Sequence, residues 1–176
     1  MSRHRSPGNC VAMLWVLLAT LTSWGLSWQL LALFAPDMGP DGNLAAGRLA
    51  LVVGLLSGCA NLIAWPLLAG LLQVSVFLFT GQEIATEEAR RVAGWTYFPF
   101  FIAGSLAMLI TGITPPRGPE DLDFLNALRV GALVASGGLV VNECRKSWKL
   151  QWWQCLAVLG APTALYMLVR WFIHPL

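Results

Sequence analysis

Charge is scarce in this chain: Asp, Glu, Lys and Arg make up 11% of the 176 residues, while 57% are hydrophobic. Ordinary soluble domains run at about 25% charged and about 45–50% apolar. Too few polar residues are present to cover a soluble surface, so lipid must do the covering. The formal net charge of +2 is too small to draw nucleic acid, and no such partner is expected. Histidine occurs only as His4 and His174, both close to the ends. No imidazole therefore lies inside an apolar run to ligate haem or metal or to act as a general base. H-E-x-x-H, G-x-S-x-G and Walker-type loops are absent, and no Ser or Thr in an apolar run has a partnered base. Neither catalysis nor a cofactor is expected.

Cysteine is sparse too. Cys10, Cys59, Cys144 and Cys155 show neither metal-type spacing nor a paired framework. Cys59 and Cys155 lie in apolar runs and read as small hydrophobes. Cys10 and Cys144 fall at expected membrane boundaries, where reversible acylation is conceivable.

What the chain has in abundance is apolar sequence in long unbroken runs. A membrane-spanning helix needs about 20 largely apolar residues, and only helices or closed barrels satisfy the backbone in lipid. Continuous rather than alternating runs favour helices. Five spans are expected: 11–34, 49–79, 96–113, 124–141 and 152–173. The fold class is thus an all-α, polytopic membrane bundle, a single transmembrane domain over residues 1–176. The first run follows Arg3 and Arg5 as a signal peptide would. At 24 residues it exceeds a signal-peptide core and no A-x-A site follows, so it reads as an uncleaved helix. The run 49–79 would extend about 46 Å against a core of about 30 Å. Two short spans would need a turn near Asn61–Pro66, and no turn cluster supplies one. One long helix, kinked at Pro66, is expected.

The connections are short. Residues 35–48 hold Pro36, Asp37, Pro40, Asp41 and Gly42, a turn-rich loop. Gly81 can end the second helix, after which 83–92 reads as a short polar helix with Glu87 four residues before Arg91, suited to an ion pair. Five spans gather Arg3, Arg5, Arg90, Arg91, Arg145, Lys146 and Lys149 on one side, seven of the eleven basic residues. Arg48, Arg117, Arg129 and Arg170 fall on or toward the other. The positive-inside rule then makes the N-terminus cytoplasmic and the C-terminus external. Trp95, Trp148, Trp152 and Trp153 cluster at the cytoplasmic level, as interfacial indoles do.

Within the spans, Gly54, Gly58, Asn61 and Trp65 share one helical face. Gly-x-x-x-Gly lets a second helix approach closely, and an Asn beside it can hydrogen-bond across. Thr20, Ser23 and Ser27 make a small polar stripe on the first helix. Small residues recur as Ala103 and Ala107, as Gly131, Ala135 and Gly138, and as Ala157, Ala161 and Ala164. These faces are the candidates for packing inside the bundle or contact with a partner. Arg129 and Arg170 are the ionisable residues inside spans. Both lie near helix ends, where snorkelling to the surface accounts for them.

The order of features resembles a known family. A long apolar helix with a central Asn and Trp65-Pro66 is followed by Gly81, a short polar helix and an aromatic-Pro start (Tyr97, Phe98, Pro99) to the third span. An apolar span, a basic-Trp loop and a last span with small residues complete residues 49 to 172. This is similar to the bacterial branch of the Yip family, five-span proteins whose eukaryotic relatives interact with Rab-type GTPases. The acidic Asp-Leu-x-Gly-Pro element and the long N-terminal region of those relatives are absent, so GTPase binding is not carried over. The resemblance implies a cytoplasmic N-terminus, an outer C-terminus and no catalysis. A scaffold or accessory subunit of a larger membrane assembly is the expected function, in a bacterial inner membrane, with the lipid bilayer and other membrane subunits as partners. A small transporter or channel subunit is the alternative.

Overall fold

A computed structural model describes residues 7–34, 42–116 and 123–160. Among them the regular structure is all helical: α1 (Pro7–Phe34), α2 (Gly42–Thr80), α3 (Thr86–Trp95), α4 (Tyr97–Ile113) and α5 (Asp123–Trp148), with helix again over 152–160. Four stretches are long and apolar enough to cross a membrane: Asn9–Leu33, Ala45–Thr80, Thr86–Ile113 and Asp123–Trp148. The fifth expected span, 152–173, lies outside the described residues beyond 160, as do Ala161, Ala164, Arg170 and His174.

The run 49–79 sits in one helix, α2, which is 39 residues long and carries Pro66 within it. It begins earlier than expected because a charge at Arg48 does not stop a helix, and Leu44, Ala45 and Ala46 are strong helix formers. Its end is set by Gly81, whose φ of +68° is a left-handed conformation that glycine adopts without strain. The Gly81 amide donates back to Phe77 O at 2.8 Å. The short polar helix begins and ends three residues later than 83–92. Gln73 Nε2 donates to Ile84 O at 3.0 Å and to Thr86 Oγ1 at 3.1 Å, which ties this connection back along α2. The far boundary follows from Pro99, which lacks the N–H that would bond to Trp95 O. The chain breaks at Thr96, and α4 starts with Pro99 in its first turn, where no intrahelical donor is needed.

The packed core lies at the α3 end of the bundle. Ala69, Leu72 and Val76 of α2, Ala89, Val92 and Ala93 of α3, Val140, Cys144 and Trp148 of α5, and Cys155 and Val158 beyond it are all buried together. At the same level Trp15 of α1 meets the rings of Phe98 and Phe101, with centroids 4.7 and 5.9 Å away. Elsewhere large apolar side chains stay open, Leu78 and Val134 each at 71%. In water such exposure would be costly; in a bilayer it is the ordinary outer surface.

Candidate functional site

The Gly54–Trp65 face of α2 is turned into the bundle. Gly54 is buried, and a Cβ there would collide with the Trp24 indole of α1. At Gly58 a Cβ would sit 3.3 Å from Thr20 Cγ2. Asn61 Nδ2 donates to Thr20 Oγ1 at 3.1 Å, and Thr20 Oγ1 in turn donates to Val16 O at 2.8 Å. The Asn61 carbonyl also accepts from the Tyr97 hydroxyl at 3.4 Å. Trp65 reaches a different neighbour, donating from Nε1 to Arg90 O of α3 at 2.8 Å. Three residues of the face thus meet α1 and the fourth pins α3. Of the α1 stripe, Thr20 bonds across, Ser23 lies 3.5 Å from Ser57, and Ser27 bonds back to Ser23 O.

Gly131, Ala135 and Gly138 do not join that seam. All three are exposed on the outward face of α5. They line an apolar groove of about 810 Å³ between α4 and α5, whose opposite wall is Pro99, Ile102 and Leu106. A Cβ added at Gly131 or Gly138 would meet none of the described residues within 4 Å. The groove is open along its length, and α5 uses its other side for the core through Ser136, Val140 and Cys144, all buried.

A second cavity, about 670 Å³, lies between α1, α2, α4 and α5 and is mixed in character. Ser57, Asn61, Tyr97, Asn126 and Arg129 are among its lining residues. Sequence reasoning treats Arg129 as an isolated charge near a helix end. The missed signal is spacing: Arg129, Ser136 and Val140 recur at i, i+7 and i+11 on one face of α5.

The basic end of the chain differs from expectation in one contact. Glu87 and Arg91 form no ion pair. Arg91 is half-buried and donates from Nη2 to Ser147 Oγ of α5 at 2.9 Å, while Glu87 and Glu88 stay in the first turn of α3, where the helix dipole favours acids. Arg145, Lys146 and Lys149 surround a small polar cavity at the end of α5. The cysteines also sort differently. Cys59 is exposed on α2, whereas Cys144 is buried beside the core and unavailable for acylation as folded. Among the described residues no group of three or more His, Cys, Asp or Glu is placed to hold a metal ion.

A family model, the Yip1 domain, matches residues 1–174. No curated protein and no solved structure matches the chain.

Proposed function

The chain belongs to the Yip1 domain family and is an integral membrane protein; from that premise we propose that it acts without catalysis, as a scaffold or accessory subunit of a larger membrane assembly. The observation that carries this reading is the α4–α5 groove. Lipid tails are as apolar as Leu, so helices associate in bilayers through close backbone approach at small residues. Gly131, Ala135 and Gly138 offer such an approach on a face that no described residue covers. Its occupant is a transmembrane helix of another subunit, since three small residues over two turns match the footprint of a helix. The Gly54–Trp65 face, by contrast, holds the bundle itself together. The proposal includes five spans in one domain, a cytoplasmic N-terminus and an outer C-terminus, supported by the distribution of basic residues, and a bacterial inner membrane, supported by the resemblance to the bacterial branch of the family.

The reading is tested by purification in mild detergent at native expression followed by mass measurement. A defined complex larger than the chain is expected, and a lone chain would overturn it. One observation favours a transporter or channel subunit instead, the mixed cavity with its intramembrane Arg129. Ion or solute flux from liposomes holding the purified chain alone would establish that alternative.

A further inference from the structure

The mixed cavity asks for an explanation that the scaffold reading does not give. On α5, Asp123 and Glu143 flank the apolar stretch and lie about 30 Å apart along the helix, the thickness of the hydrocarbon core. Arg129 is about 9 Å inward of Asp123 on the same measure. Setting the membrane boundary at Arg129 itself would leave only about 24 Å to Arg145, too short for the core. A guanidinium at such depth is disfavoured by up to about 3 kcal/mol even where it can partly reach the surface.

The side of the helix sharpens the question. Arg129 stands in helical register with Ser136 and Val140, both buried, about two to three turns nearer the start of α5, where the helix packs less closely and Arg129 stays exposed. Its side chain lines the mixed cavity. Among the described residues no carboxylate pairs with it. The remaining lining divides in two. Asn126, Ser23 and Ser57 add uncharged polar groups, while Leu68, Phe100 and Leu125 form an apolar wall. A cavity with one unpaired cation, a few neutral polar groups and an apolar wall matches an anionic amphiphile.

We propose that this cavity binds the phosphate headgroup of an anionic membrane lipid, with Arg129 as its counterion and an acyl chain along the apolar wall. The guanidinium fork suits two phosphate oxygens. The apolar wall of Leu68, Phe100 and Leu125 favours a lipid over a free anion, because it gives an acyl chain a surface that inorganic phosphate cannot use. The site differs from the α4–α5 groove in its charged and polar lining, while Ala103 and Leu128 border both.

The test uses the full-length chain in a neutral detergent. Its thermal midpoint of monodispersity is followed with phosphatidylglycerol, with phosphatidylcholine, and with inorganic phosphate. A ligand that binds only the folded state raises the midpoint in proportion to its affinity. Phosphatidylglycerol should raise it by several degrees, and the other two should not. Arg129→Gln should abolish that rise. Ser57→Leu, which fills the cavity and leaves Arg129 in place, should also abolish it, and it decides the matter if Arg129→Gln is not monodisperse. Lys146→Gln, at the basic end of α5, should keep the rise. An unchanged rise in Arg129→Gln or Ser57→Leu, an equal response to phosphatidylcholine, or loss in Lys146→Gln would each overturn the proposal. A rise with inorganic phosphate alone would assign the cavity to a free anion and overturn the lipid.

Discussion

Individual glycines in this chain do different jobs, and the difference is measurable. At Gly94 a Cβ would run into Ala12 of α1, including its Cα at 2.8 Å. Backbone cannot swing aside as a side chain can, so α1 would have to move from the α3–α4 junction. Gly94→Ala should destabilise the bundle by about 1–3 kcal/mol, the range for overpacking. Gly131 has no described residue within reach of a Cβ, and Gly131→Ala should be neutral or gain up to about 1 kcal/mol from helix propensity. Equilibrium unfolding in mixed micelles compares the two. Equal losses would contradict the assignment of one glycine to the interior and the other to the outer face. Asn61 supplies a second residue-scale prediction. Its bond to Thr20 should be worth about 0.6–2 kcal/mol, read as the coupling of Asn61→Leu with Thr20→Val in a double-mutant cycle. A coupling near zero would mean the pair is not formed in the membrane.

Among the elements, α3 is the one whose placement rests on a few directed bonds. Trp65 and Gln73 of α2 both donate to its backbone or to the connection before it. Trp65→Phe keeps the ring and removes the donor, at about 0.5–1.5 kcal/mol. Hydrogen exchange over Thr86–Trp95 should speed up in that variant while α1 stays protected; no change would show that apolar burial alone docks α3. The same element shows how far sequence reading reaches. Long apolar runs declare α1, α2, α4 and α5 directly, and Gly81 declares the end of α2, because these depend on composition and local backbone freedom. The limits of α3 depend on Gln73 reaching forward and on an N–H missing at Pro99, and periodicity does not register either. The Gly54–Trp65 stripe was legible because spacing fixes a face, although spacing could not say that Trp65 meets α3 and not α1. The mixed cavity was not legible, since its residues come from four helices and meet only through tertiary packing.

For the whole molecule, orientation and partnership are the properties that matter. Seven of eleven basic residues fall at the N-terminus and the two connections on its side, and the proposed topology follows from them. In a background with Cys10 and Cys59 replaced, a cysteine at Pro116 should be labelled from outside intact cells and one at Lys146 should not; the reverse would invert the topology. The buried core at the α3 end and the bonded α1–α2 seam give the described residues a bundle of their own, and none of those residues covers the α4–α5 groove, the proposed seat of a second protein. The most direct measurement is co-purification from native membranes of the wild type and of Gly131→Leu, each with its thermal midpoint recorded. A leucine in the open groove should leave the midpoint unchanged and release a membrane subunit that the wild type retains. If Gly131→Leu keeps every co-purifying protein, or unfolds the chain itself, the groove is not the contact surface and the account of this protein as a docking subunit is contradicted.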